Sequence, residues 1–315
     1  MKTYRFTLSP KSAFGTPLVG DSLFGQLCWA IVNRFGEAHL TELLAGYTEQ
    51  RPFMVVSDCF PQGYLPLPTL PSRFWQTDES HKADRKKLKK VQWVRVEDTQ
   101  QQAVKFWQEF AISADFKFEK ESQDQYHNTI DRSTGTTGED IFAPYATELT
   151  WYLQTQQLDL YIVLDEDRFD LDDLKQVLKD VGDFGFGRDV SIGLGKFSLA
   201  DEVQAVEFSP QNANCYFTLA NSTPQDLGLN KENSYYQITT RFGRHGDIQA
   251  LSSSPFKKPI ILAKVGAIFT PNEYKVRSFL GNGLGNISNT QPNAVHQGYA
   301  PVLNLFVDFE NKEKQ

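Results

Sequence analysis

The residues best equipped for chemistry lie in one run, Gly182-Asp183-Phe184-Gly185-Phe186-Gly187-Arg188-Asp189-Val190-Ser191-Ile192-Gly193-Leu194-Gly195-Lys196-Phe197. Five glycines within fourteen residues free the backbone for positive φ and for close approach to another molecule, so its N–H groups can converge on an anion. Gly185, Gly187, Gly193 and Gly195 supply the bends, and Arg188, Ser191 and Lys196 interleave side-chain donors. The combination suggests a phosphate cradle, although the same glycines would also serve close packing of a helix on a sheet. No Gly-Lys-Ser/Thr closes a P-loop here, and the glycines follow a helix instead of joining a strand to the start of one. ATP and NAD are poor candidates, no cofactor is expected, and a polymeric phosphate backbone fits better.

Charge is distributed unevenly around that run. Residues 81–95 hold Lys82, Arg85, Lys86, Lys87, Lys89, Lys90 and Arg95 against Asp84 alone, and Lys86, Lys87, Lys89 and Lys90 would line a groove or form a solvated face. Residues 165–173 are acidic, and Asp170, Asp172 and Asp173 sit in the opening turn of a helix, where they complement its dipole. Asp21 and Ser22 stand where another helix begins. They would cap it, or leave an N-terminus that itself attracts anions. His127 and Arg132 lie in a polar loop that reads by itself as a solvated turn, and His296 is a candidate backbone contact that is also readable as structural. Phe74, Trp75, Phe184, Phe186 and Tyr299 are candidate stacking platforms, each also readable as core.

Catalytic constellations are weak by comparison. His39, His81, His127, His245 and His296 are scattered without a recognisable acid–base pair, and Asp131 has no neighbouring carboxylate to complete a metal seat. Cys28, Cys59 and Cys215 are odd in number and far apart, which disfavours both a disulfide framework and zinc. A binder is expected, not an enzyme, with no metal.

The elements that must hold these residues read as α+β. A strand at 3–9 leads to a helix near 21–35, whose Leu23, Phe24, Leu27, Cys28 and Ile31 share a face and which Gly36 can end. A strand over 151–164 leads to a helix near 170–181 with Leu171, Leu174, Val177, Leu178 and Val181, then the glycine loop, then a strand from Lys196. This repetition predicts two ferredoxin-like units of the RRM type, residues 1–150 and 151–315, with inserted binding loops. The insertions are the proline-punctuated 61–71, the basic run, and a polar 97–147 with a turn at Thr134-Gly135-Thr136-Thr137-Gly138. A further glycine cluster at 281–286 precedes a terminal strand 301–309. The 315 residues, 40% hydrophobic, can fill a substantial core. The net charge of −7 disfavours indiscriminate nucleic-acid coating but leaves a local groove open. No apolar run approaches the ~20 residues of a membrane helix, and the N-terminus reads as a strand, so a cytoplasmic location is expected.

Four segments carry a family resemblance. They are Thr16-Pro17-Leu18-Val19-Gly20-Asp21-Ser22-Leu23-Phe24-Gly25 with Leu27-Cys28-Trp29-Ala30; Ser57-Asp58-Cys59-Phe60-Pro61 with Leu65-Pro66-Leu67-Pro68; the loop from His127 through Asp131-Arg132-Ser133 to Thr137; and Phe186 to Lys196. Together, and in this order along most of the chain, they resemble the RAMP superfamily of CRISPR proteins, and within it the Cas-five group that supplies the fourth Csm subunit of type III-A effectors. The glycine loop is shared across RAMP proteins. The opening helix motif and the proline block narrow the match. The resemblance implies a non-catalytic scaffold that caps the single-stranded 5′ handle of the crRNA, docks on the large polymerase-like subunit and adjoins RAMP backbone subunits. It also implies that the loop at His127 and Arg132 folds over the crRNA. The runner-up is a RAMP endoribonuclease that processes precursor crRNA or cuts target RNA.

Overall fold

A computed structural model of the chain describes residues 1–76, 85–88, 90–113, 120–207, 212–246 and 255–310. In chain order, β1 (Lys2–Pro10) alternates Tyr4, Phe6 and Leu8 into the core, and α1 (Gly20–Phe35) buries Leu23, Phe24, Leu27 and Ile31. Gly36 ends α1 at φ +92°, its N–H donating to the Val32 carbonyl at 2.8 Å. Then come α2 (Glu37–Leu44), β2 (Met54–Pro61), β3 (Tyr64–Pro66), α3 (Arg85–Leu88), β4 (Val91–Arg95), α4 (Val96–Gln101), α5 (Trp107–Phe110) and β5 (Ile112–Ser113). The hairpin strands β6 (Lys120–His127) and β7 (Tyr145–Tyr152) precede β8 (Leu158–Leu164), α6 (Leu171–Phe184), β9 (Phe197–Leu199) and β10 (Gln204–Ala205). The remaining strands are β11 (Cys215–Thr218), β12 (Ile238–Arg241), β13 (Ile260–Ala263), β14 (Ile268–Phe269), β15 (Phe279–Leu284) and β16 (His296–Leu305).

The α+β class holds, but the repeated segments do not form separate sheets. β8 is buried at every position, so both its faces are covered and its backbone N–H and C=O groups must find partners within the sheet. It lies antiparallel between β1, from Lys2↔Leu164 to Leu8↔Leu158, and β2, while β9 and β10 both pair with β1. The division at 150/151 thus runs through one five-stranded sheet, with α1 and α6 packed against each other beside it. The expected strand 151–164 is two strands, separated by a turn that the Gln156 N–H closes on the Leu153 carbonyl. α6 starts as its acidic turn predicts, with the Asp170 carboxylate accepting from the Asp172 N–H at 2.7 Å.

A second sheet, ordered β14-β11-β16-β15, is built around β16, all ten of whose residues are buried. That strand begins at His296, earlier than the terminal strand expected from 301. No α-helix lies between β11 and β16 among the described residues, so this sheet has no helical layer of its own. The Gln297 carboxamide couples the sheets by accepting from the Val56 N–H at 2.8 Å and donating to the Val56 carbonyl at 2.7 Å. Part of the polar 97–147 segment also enters the interior. Trp107 is fully buried against Phe217, with its indole N–H donating to the Gln102 carbonyl.

Candidate nucleic-acid interface

The loop from α6 to β9 directs many of its donors into the protein. The Gly195 N–H donates to the Ala13 carbonyl at 2.8 Å, Arg188 N–H to Thr16 Oγ1 at 2.9 Å and Lys196 N–H to Ser12 Oγ at 2.9 Å. The loop is therefore fastened along residues 12–16. A Cβ on Gly195, at φ +75°, would stand 2.1 Å from the Phe186 carbonyl oxygen, and one on Gly187 would stand 2.5 Å from Thr16 Cβ. Gly185 is closed by the Leu194 carbonyl in the same way. Arg188 is engaged as well, through Nε on Asp189 and Nη2 on the Glu148 carbonyl, each at 2.9 Å. Gly185, Gly187, Gly195 and Arg188 thus build the loop. Ser191, Gly193 and Lys196 form its outward edge, together with Phe184, which is 75% exposed.

Asp21, Ser22 and His296 come together in a different arrangement from the one the sequence suggests. Val19 occupies the N-cap of α1 without a side-chain bond, so neither Asp21 nor Ser22 caps the helix. The buried Asp21 carboxylate instead receives a two-pronged contact from Arg241, Nε to Oδ2 and Nη2 to Oδ1, both at 2.7 Å. Arg241 also donates to Ser22 Oγ, and His296 Nε2 lies 3.6 Å from Asp21 Oδ2. Burial opposes the Asp21 charge, but His296 and Arg241 outweigh it and hold the carboxyl below its usual range. Asp58, beside it, accepts from the Gly20 N–H at 2.8 Å, and burial pushes its carboxyl up to about 7. This polar knot sits under the entry to α1 and buries both Asp21 and His296.

The remaining candidates are dispersed. His127 stacks on Tyr145 at 5.1 Å, with Nε2 3.1 Å from Thr147 Oγ1, within the β6–β7 hairpin. Arg132 is exposed in the turn that closes it. Asp131 folds that turn by accepting from the Ser133 hydroxyl and N–H, which hold its carboxyl low. Lys86 and Lys90 are exposed beside the β3-β4-β5 sheet; the Lys87 side chain and the whole of Lys89 lie outside the described residues. Among the expected platforms, Phe186 and Tyr299 are 1% and 0% exposed and Phe74 is buried, so all three are core; Trp75 is partly buried against the second core. No group of three His, Cys, Asp or Glu gathers at metal-holding distance among the described residues.

No family model matches the sequence, and none of the curated proteins does. Solved structures do match. A chain of a Csm1–Csm4 cassette in complex with pppApA aligns at TM-score 0.63 and 15% identity, over 98% of this chain and 100% of that one. A chain of the Csm3–Csm4 subcomplex in the type III-A CRISPR–Cas interference complex aligns at 0.59 and 15%, over 97% and 100%. Csm4 is the component the two assemblies share. The chain has the Csm4 fold. A chain of a Csm1–Csm4 cassette with cA3 agrees, at TM-score 0.61 and 14% identity over 98% and 99%.

Within this Csm4 fold, sequence reading misses three residues that shape the site. Arg241 lies 220 positions from the carboxylate it clamps, Thr16 receives the Arg188 N–H, and Asp58 receives the Gly20 N–H. The Gly15-Thr16-Pro17 turn and the polar Ser57-Asp58 pair in a largely apolar strand are their only local signals.

Proposed function

We propose that the chain is a non-catalytic subunit of a type III CRISPR RNA-guided effector, working in the cytoplasm and holding the single-stranded 5′ handle of the crRNA. It docks on a large polymerase-like subunit and adjoins backbone subunits. The observation that carries this reading is the end-to-end Csm4 likeness, which spans nearly the whole of both chains in complexes with Csm1 and with Csm3. The outward edge of the loop supports it, since Ser191 and Lys196 offer donors to phosphate and Phe184 offers an exposed ring to a base. In the same reading β1, α1, β2, β8, α6 and β9 form one ferredoxin-like unit, supported by the sheet order β9-β1-β8-β2.

The test is co-purification of the tagged chain from its own cell, followed by sequencing of the bound RNA. Recovery of a large polymerase-like protein and small RNAs sharing a 5′ tag, left uncut on incubation with magnesium, supports the proposal. Recovery of neither, or RNA cleavage that tracks with this chain, overturns it.

A further inference from the structure

We infer that the ribbon formed by residues 238–246 and 255–264 is a second contact surface for single-stranded RNA, separate from the glycine loop. β12 and β13 pair from Ile238↔Ala263 to Arg241↔Ile260, and the pairing continues past them through the Arg244↔Phe256 bridge and the Lys257 N–H to the Gly243 carbonyl. Alternation then sorts the side chains. Ile238, Thr240, Phe242 and Arg244 are exposed, whereas Arg241 turns to Asp21 and His245 is buried with Nε2 2.8 Å from Ser288 Oγ. On the facing strand Phe256, Lys258 and Ile261 are exposed.

The bridge sets Arg244 opposite Phe256, and the exposed Phe242 and Lys258, whose Nζ donates to Asn286 Oδ1 at 2.9 Å, add a second ring and a second cation to the ribbon. Phe242 is 76% and Phe256 67% exposed, and the Arg244 guanidinium lies 5.8 Å from the Phe256 ring centre. Among the described residues, these two phenyl rings on one short ribbon stand largely outside the three main cores. The described ribbon holds Arg241, Arg244, Lys257, Lys258 and Lys264 and no Asp or Glu, in a protein of net charge −7. Rings flanked by cations, with no acid between them, match a strand of stacked bases and phosphates better than a protein partner of mixed charge.

Position agrees with chemistry. The glycine loop is fastened to Thr16 and the ribbon to Asp21, and five residues of chain span at most about 18 Å. The points at which the loop and the ribbon are fastened therefore lie within about 18 Å of each other. This inference rests on the RNA-holding function proposed for the loop.

The test uses the full chain and an unstructured, fluorescein-labelled single-stranded RNA of about 12 nucleotides. Phe242→Ala with Phe256→Ala removes only exposed rings, so melting should stay at the wild-type value while affinity falls about thirtyfold or more, the lower end of the loss of two stacked bases. Arg244→Ala with Lys258→Ala should flatten the salt dependence of log K by about 0.7 for each phosphate left without its cation. Affinity and salt slope both unchanged overturn the inference. If they are unchanged while either ring variant loses the large subunit or a backbone subunit in pull-down, the ribbon is a protein contact and the inference is likewise overturned. Lys196→Ala with Ser191→Ala separates the two readings. Loss of RNA in that variant but not in the ribbon variants leaves the proposed function standing without the ribbon; no RNA binding by the wild-type chain or its assembled complex overturns both.

Discussion

Arg241 grips Asp21 with both prongs of its guanidinium, at 2.7 Å each, and so ties the end of β12 to the first turn of α1 across 220 residues of sequence. The carboxylate is fully buried, so the guanidinium supplies the counter-charge that water cannot. One ion pair thereby fixes the ribbon's position against the segment that also holds the glycine loop.

Removing the cation should be costly because the acid remains behind. Arg241→Ala is expected to lower unfolding stability by about 2–3 kcal/mol, less than for a completely buried pair because the guanidinium is one-third exposed. Urea titration of wild type, Arg241→Ala, Asp21→Asn and the double variant gives the coupling. Additive losses would show that the pair is not a unit.

Asp58 gives the fold a pH dependence of the opposite sense to an ordinary salt-bridged carboxylate. Its folded value, about 7, lies above the ordinary 3.8, so its stabilising protonated form is fully present below about pH 4 and is lost as pH rises towards 7. Asp58→Asn should therefore gain on the wild type progressively between those limits, with a constant advantage above pH 8. Asp21, held low, works the other way, contributing stability above its unfolded value that disappears as pH falls through its depressed folded one. Melting temperatures of the two Asn variants read out both signs, Asp58→Asn between about pH 4 and 8 and Asp21→Asn below about pH 4, where the wild type loses its advantage; parallel profiles would contradict this assignment.

Two glycines of the same loop should respond differently to alanine. Gly195→Ala meets the Phe186 backbone at 2.1 Å in addition to its positive φ, and is expected to prevent stable folding or to cost more than ~3 kcal/mol. Gly193 also has positive φ, but nothing lies within 4 Å of its added Cβ, so Gly193→Ala should cost only about 1–2 kcal/mol of backbone strain. Thermal melting orders them.

Arg188 and Lys196 should separate stability from RNA retention. Arg188→Ala breaks the bond to the Glu148 carbonyl and loosens the loop from β7, so its Tm should fall by several degrees whether or not RNA is present. Lys196→Ala with Ser191→Ala removes only exposed groups, and it should release crRNA from the reconstituted complex while melting like the wild type. Full crRNA retention in that double variant would assign the outward edge no role in holding RNA.

Several features are legible without any tertiary structure. α1 and α6 announce themselves through apolar residues at helical spacing, the acidic opening turn of α6 and the Gly36 stop, while the turn read at 134–138 closes slightly earlier, between Asp131 and Thr136. The glycine loop stands where its composition puts it, but composition reveals only half its purpose: its donors are visible, whereas nothing local shows that Thr16, Ser12 and Ala13 occupy many of them. Trp107 escapes sequence reading because one tryptophan in a polar segment has no periodicity to reveal its burial.

Local pattern alone determined α1, α6, β1 and the apolar stretch of β8, since φ/ψ preference and the side-chain period act over a few neighbours. Tertiary structure alone decided that β8 inserts between β1 and β2 and so merges two apparent repeats into one sheet, because strand pairing is a choice among distant partners that a strand's own residues do not specify. It likewise decided that Asp21 meets Arg241 and not a helix end, and that Phe242, Arg244, Phe256 and Lys258 are exposed together on one ribbon. A buried charge is matched, and an exposed surface assembled, only when segments far apart in the chain are brought together by the core beneath them.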